Sequence, residues 1–245
     1  MITDSEFREY CSKNNLRCEF KNRYYQENFL KIHWNIEDLF IVLCCYGYIE
    51  TIKWFVKLCN IDIHFRNEYA FRTSCEHGRM EVVNWLLEVS KENKEIINIH
   101  ERNEYAFTNS CSNGHIEMAK FLIKISKENG EIIDIHANYE EAFRGSCYYG
   151  KIEVAKWLMK ISEENGEMID IRAINDFTFK WCCQRGKIEV VKWLCSLCDK
   201  YYIEIVDNKI VKYEIKNIFD KYFDKYLDEN KGIKKVIKRL QLKVI

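Results

Sequence analysis

Ile97-Asn98-Ile99-His100 decides how this chain is read, because it is one of a series. Ile61-Asp62-Ile63-His64 stands 36 residues before it, and Ile133-Asp134-Ile135-His136 and Ile169-Asp170-Ile171-Arg172 follow at the same interval. Glycines keep the beat at Gly78, Gly114, Gly150 and Gly186, and cysteines at Cys75, Cys111, Cys147 and Cys183. A fixed period in the twenties to forties marks a stacked solenoid, whose units cannot bury their apolar faces alone. Such a stack offers no obvious place where several catalytic groups converge, so a non-catalytic role is expected.

Working outward through the unit from Ile97 to Ile132, Ile97-Asn98-Ile99 alternates like a short extended segment and leads into His100-Glu101-Arg102 as a turn. Asn103 is placed to cap the next helix, with Glu104 in its first turn near the positive end of the dipole. Ala106, Phe107, Ser110 and Cys111 give a short helix with a small-residue face, which Gly114 ends. In a second helix, Ile116, Met118, Ala119, Phe121, Leu122 and Ile125 crowd one side while Glu117, Lys120 and Lys124 take the other. Asn129-Gly130 closes it.

These residues carry a resemblance. The run from Tyr105 to Leu122 (Tyr-Ala-Phe-Thr-Asn-Ser-Cys-Ser-Asn-Gly-His-Ile-Glu-Met-Ala-Lys-Phe-Leu) resembles the ankyrin consensus T-P-L-H-x-A-A-x-x-G-H-x-E-I-V-K-L-L. Gly78 to Leu87 and Gly186 to Leu194 match its second half more closely still. Ala70, Ala106, Ala142 and Thr178 replace the consensus proline, a cysteine takes the second alanine, and the period is 36 against about 33 in the family. The resemblance covers about residues 35 to 205 and implies an all-α helix-turn-helix solenoid that binds protein partners. The Lys/Ile/Asn-rich, proline-free style resembles the ankyrin proteins of large DNA viruses, which would place the chain in a host cytoplasm.

Composition fits this reading. The 245 residues are 47% hydrophobic and 14% aromatic, ample for a continuous core. Lys plus Arg equals Asp plus Glu at 38 each, without the basic excess of a chain that coats phosphate backbones, so nucleic acid is not the expected partner. There is no proline. The 12 cysteines recur inside apolar helical patterns, and Met1 to Glu6 carries no secretory signature, so reduced thiols and an intracellular, cytoplasmic monomer are expected. The longest apolar run, Leu39 to Ile49, is too short to span a bilayer.

The expected organisation is a degenerate N-terminal cap over 1–35, where Phe7 and Cys11 echo Phe40 and Cys44, then repeats at 36–60, 61–96, 97–132, 133–168 and 169–205. Irregular capping helices are expected over 206–245, with Ile215, Phe219, Tyr222 and Phe223 on one helical stripe.

Candidate chemistry is thin. Cys195 and Cys198 look like half a zinc site that Cys182 and Cys183 could complete, but their register calls for apolar side chains, so neither metal nor cofactor is expected. His64, His100 and His136 form a ladder with no recurring nucleophile or carboxylate evident beside them, so they read as imidazoles bonded to turn backbones. The tail carries Lys231, Lys234, Lys235, Lys238, Arg239 and Lys243 around an apolar stripe, which suits either a capping helix or docking on an anionic membrane.

Specificity is expected where the repeats differ. At the turn, Phe65-Arg66 becomes Glu101-Arg102, Ala137-Asn138 and Ala173-Ile174. At the end of the first helix, Glu76-His77 becomes Ser112-Asn113, Tyr148-Tyr149 and Gln184-Arg185. The resemblance implies that both sets line the concave, partner-binding side. Trp85, Trp157 and Trp193 share a register with Phe121 and read as core anchors. The rival readings are a membrane-surface adaptor docking through the basic tail and a recruiter of a host ubiquitin ligase.

Overall fold

The computed structural model describes residues 36–59 and 61–216, which divide into two compact units at Ile169/Asp170. The first holds four helical pairs: α1 (Ile36–Tyr46) with α2 (Ile49–Leu58), α3 (Phe65–Glu76) with α4 (Met80–Glu92), α5 (Glu101–Asn113) with α6 (Ile116–Glu128), and α7 (Ala137–Tyr148) with α8 (Ile152–Glu164). The second holds α9 (Ala173–Gln184), α10 (Ile188–Leu197) and an antiparallel hairpin of β1 (Tyr201–Val206) and β2 (Lys209–Ile215). The class is an all-α helical-repeat solenoid, with this one small sheet among the described residues.

One residue set builds every pair. Phe40, Phe71, Phe107 and Phe143 are at most 1% exposed, and Cys44, Cys75, Cys111 and Cys147 are fully buried beside them. Leu86, Leu122 and Leu158, with Phe55 in the first pair, close the same core from the second helix. Each buried Phe or Leu stabilises the stack by about 2 kcal/mol relative to an exposed one. Desolvation holds the Cys44, Cys75 and Cys111 thiols well above the ordinary cysteine range, so they stay protonated and pack as small apolar groups. Trp85, Trp157 and Trp193 sit differently from the core role expected of them. They are half-buried, as is Phe121, because their register lies at the flank of the second helix while the first-helix phenylalanines fill the centre.

The glycine after the first helix turns the chain back. Gly114 has φ +88°, and the next amide, His115 N–H, donates to Ser110 O at 2.8 Å. A left-handed residue is required there, and glycine adopts it without a Cβ penalty.

Helix entry departs from the sequence reading twice. Ile97 to Ile99 forms no strand, and Asn103 does not cap a helix. Instead Arg102, Asn103 and Glu104 take φ of 57°, 53° and 62°, one left-handed turn before the right-handed helix begins. The same triplet turn occurs at Arg66–Glu68, Asn138–Glu140 and Ile174–Asp176. Left-handed backbone costs L-residues roughly 1–2 kcal/mol each, least for Asn, so the surrounding contacts must over-determine it.

Beyond Leu197 the chain leaves the helical register expected for it, and residues 206–215 belong to a hairpin rather than to capping helices. Tyr201–Val206 alternates with period two, Lys209–Ile215 pairs antiparallel with it, and Asp207-Asn208 between them takes φ of 48° and 57°, the two-residue turn that matches strand twist. Tyr201 anchors the hairpin on α9, its ring 4.0 Å from Phe179 and stacked on it. Residues 1–35 and 217–245, with the proposed N-terminal cap and the basic tail, lie outside the described residues.

Candidate functional site

Each repeat opens on a network that sequence reasoning only half found. The Asp62, Asn98, Asp134 and Asp170 side chains each accept the backbone N–H two residues on, at 2.9–3.1 Å, which sets the turn. The histidine at that position then meets a buried carboxylate four residues later. His64 Nδ1 lies 2.8 Å from Glu68, His100 Nδ1 2.7 Å from Glu104, and His136 Nδ1 2.9 Å from Glu140. A carboxylate therefore does recur beside the ladder, contrary to the expectation. The signal was available: Glu68, Glu104, Glu140 and Asp176 keep the same 36-residue interval.

These carboxylates stitch one repeat to the next. Glu68 Oε1 accepts Asn98 N–H at 3.3 Å, and Glu104 Oε1 accepts Asp134 N–H at 3.2 Å. In the second unit both partners change together. Arg172 replaces the histidine, Asp176 replaces the glutamate, and the fork closes with Nε–Oδ1 2.7 Å and Nη2–Oδ2 3.1 Å. The Arg172 hydrogen bonds hold the Asp176 carboxyl below its usual range, and Tyr201 donates to it at 2.8 Å.

Two of the histidines complete a Ser–His–Glu arrangement. Ser126 Oγ lies 3.2 Å from His100 Nε2, and Ser162 Oγ 3.2 Å from His136 Nε2. The distances suit acyl transfer, but the exposure does not. Ser126 and Ser162 are both 0% exposed, so no scissile carbonyl can reach either hydroxyl. The arrangement instead holds the turn against the second helix.

The cysteines of the suspected half-site fare similarly. Burial pushes the Cys182 and Cys183 thiols up to about 12 and raises Cys195 as well, the behaviour of thiols packed among apolar groups. Among the described residues no cluster of three or more His, Cys, Asp or Glu is placed to hold a metal ion, and no helix is long and apolar enough to cross a membrane.

The variable residues form two rows. In the turn row of the first unit, half-buried Phe65 carries Arg66 over its ring at 4.8 Å, and Arg66 reaches Asp38 at 2.7 Å. Glu101 accepts from the side-chain amides of Asn67 and Asn98, both at 3.0 Å. Arg102 is exposed, and Asn138 donates to Glu141 at 2.9 Å. In the helix-end row, Glu76 accepts Tyr105 O–H at 3.2 Å, and exposed His77 folds its ring onto Thr73 O at 2.8 Å. Tyr148 and Tyr149 meet edge to face with centroids 4.7 Å apart, and Tyr149 is 54% exposed. In the second unit Ile174 is exposed, Gln184 donates to Tyr213 at 3.4 Å, and Arg185 lies over the Trp181 ring at 5.6 Å.

Sequence reasoning missed a third row, the basic side chains that bind the left-handed turns. Arg72 is 1% exposed, and it donates through Nε to Asn67 O at 2.7 Å and through Nη2 to Arg66 O at 3.1 Å. Arg144 repeats this on Tyr139 O and Asn138 O at 2.7 and 3.0 Å, and Lys180 reaches Asn175 O at 2.6 Å. These cations neutralise aligned carbonyls that the left-handed turn presents together.

Comparison with known proteins agrees with this architecture. Residues 39–138 match the family of ankyrin repeats, in three copies. No curated protein matches the chain. With the helical pairs and the glycine-terminated first helices, this match identifies residues 39–138 as ankyrin repeats.

Proposed function

We propose that the stack is a non-catalytic scaffold that binds a protein partner along the face formed by its turn and helix-end rows. Ankyrin repeats are generally protein-interaction modules, and the comparison supports that much. The observation that carries the finer reading is the Tyr148–Tyr149 pair. It stands where the other pairs of the first unit place Cys45-Tyr46, Glu76-His77 and Ser112-Asn113, so no packing rule of the stack calls for two aromatics there. Two amphipathic rings already braced against each other lose little rotamer freedom on docking. Under this reading Phe65, Arg66, Glu76, His77, Glu101, Arg102 and Asn138 belong to the same surface, with Ile174, Gln184 and Arg185 continuing its register in the second unit.

The test is partner capture by the full chain and by a Tyr148→Ala/Tyr149→Ala variant of unchanged far-ultraviolet circular dichroism. Loss of about 1–3 kcal/mol of affinity per anchor, roughly fivefold or more, is the expected result. Undiminished capture would move the contact elsewhere. The first place to look would then be Ile96, Ile132 and Met168, which share one register and are 81%, 87% and 84% exposed.

A further inference from the structure

The basic row has one interruption. At successive positions of its register stand Arg72, Thr108, Arg144 and Lys180. The turn that Thr108 would serve has the same backbone as its neighbours, with φ of 57°, 53° and 62° against 54°, 59° and 57° before it and 53°, 58° and 64° after it. Arg102 O and Asn103 O are therefore presented as the capped carbonyl pairs are, but a threonine is too short to reach them. The flanking groups are also in place. Tyr69 backs the Arg72 guanidinium at 5.1 Å from three residues upstream, and Tyr105 stands at the same offset from Thr108. On the far side, where Tyr105 covers Arg72 at 4.7 Å, the next repeat puts Glu141, an exposed carboxylate that accepts from Asn138 and also faces the Arg144 guanidinium.

We propose that the turn of Arg102–Glu104 receives an arginine side chain from the partner protein, seated between Tyr105 and Glu141 with its guanidinium on the carbonyls of Arg102 and Asn103. The proposal rests on the reading that the partner runs along this face, and it names the chemistry recognised there. The chain itself supplies the precedent: Arg72 and Arg144 each place two N–H groups on two successive carbonyls, whereas Lys180 reaches one. A pair of carbonyls fixed by a left-handed turn thus selects the planar fork of arginine over the single ammonium of lysine. Glu141 adds a charge that a neutral isostere cannot use. The Arg102 guanidinium on the rim is the like charge to overcome, so an Arg102→Ala variant should bind arginine more tightly.

The experiment titrates Nα-acetyl-arginine amide into the full chain while following the Arg102–Glu104 amides and the Tyr105 ring by nuclear magnetic resonance. Saturable shifts confined to that turn are expected, with a dissociation constant in the range of about 1 mM or above. The lysine counterpart should bind about tenfold more weakly, and the citrulline counterpart should give no saturable shift. Thr108→Arg should fill the site internally and abolish the shifts. Thr108→Lys, which imitates Lys180, serves if the arginine variant does not fold. Absence of localised shifts in the wild type, equal shifts with citrulline, or shifts that survive both substitutions would each overturn the proposal. Partner capture separates it from the scaffold reading. Capture that fails in Tyr148→Ala/Tyr149→Ala but is untouched by Thr108→Arg refutes the arginine site alone. Capture indifferent to both variants refutes the shared face.

Discussion

Gly145 lies in α7 where that helix passes closest to α5, and adding a single methyl there tests the packing of the stack. A Cβ built on Gly145 would stand 2.0 Å from Ser112 Oγ, 3.0 Å from Ser112 Cβ and 3.7 Å from Ser112 Cα. Ser112 is buried, so its hydroxyl has little room to rotate into, and the 3.0 Å contact to Cβ persists whichever rotamer it takes. Two effects of opposite sign compete. Alanine is better than glycine in a helix interior by about 1 kcal/mol. Overpacking a close helix contact costs about 1–3 kcal/mol. Because the overlap involves a β-carbon as well as a flexible side-chain end, the steric cost should win, for a net loss of about 1–2 kcal/mol. The cycle with Ser112→Gly isolates the cause. With Oγ and Cβ both gone the nearest Ser112 atom is the one at 3.7 Å, an ordinary contact, so Gly145→Ala should then stabilise by about 0.5–1 kcal/mol. Urea titrations of the four proteins, followed by circular dichroism, give the values. The slopes must also be compared, since a repeat stack can lose cooperativity between units. A stabilising Gly145→Ala in the wild-type background, or the same effect in both backgrounds, would refute the reasoning.

Two further outcomes follow from the same geometry. Gly114→Val should cost several times more stability than His115→Ala, because φ of +88° is strained for a β-branched residue whereas His115 is partly solvent-facing; similar denaturation midpoints would contradict this. The Asp176 carboxyl is depressed by Arg172, so its contribution is present above the ordinary carboxylate range and is lost as pH falls through its lowered value. Asp176→Asn should therefore remove about 1–3 kcal/mol at neutral pH and flatten the acid limb of stability against pH, and an unchanged acid limb would count against the pair.

Much of the fold was legible because the stack repeats its own solution. The phenylalanine, cysteine, leucine and glycine registers are imposed by contacts that recur with each pair, so the period alone exposes the core. What escaped were features with no such echo or with an ambiguous one. The hairpin occurs once, and Ile215 fitted a helical stripe as well as it fits a strand; the discriminating signal was Asp207-Asn208 after the alternating run Tyr201–Val206. The left-handed turn escaped because Arg-Asn-Glu looks like an ordinary capped helix start, and helix propensity holds no trace of a tertiary contact that reverses the sign of φ. Arg72 escaped because a buried arginine reads as a surface residue until its two carbonyl partners are known. The tryptophans misled in the opposite sense, large and periodic yet only flanking the core.

The division between constant and variable positions then has a physical basis that bears on binding. A side chain that meets the neighbouring repeat is constrained from both sides: Glu68 and Glu104 must accept an amide of the next turn, and each must also hold a histidine. When such a position does change, its partner changes in compensation, as the longer Arg172 and shorter Asp176 show by restoring the same closure. The helix-end positions also touch the next repeat, Glu76 accepting Tyr105 O–H and Ser112 standing against Gly145, but no one residue type is required for it. Glu76, Ser112 and Tyr148 occupy one register with unrelated chemistry, and so do His77, Asn113 and Tyr149, while the phenylalanine beneath each helix stays fully buried. Thr108 belongs to an intermediate class. Its register is occupied in the neighbouring repeats by a cation that binds the turn, and the repeat around it keeps that turn without supplying one. Rows that packing holds to no single residue type can diversify for a partner, and an interrupted row marks the place where a partner's own side chain can complete the structure.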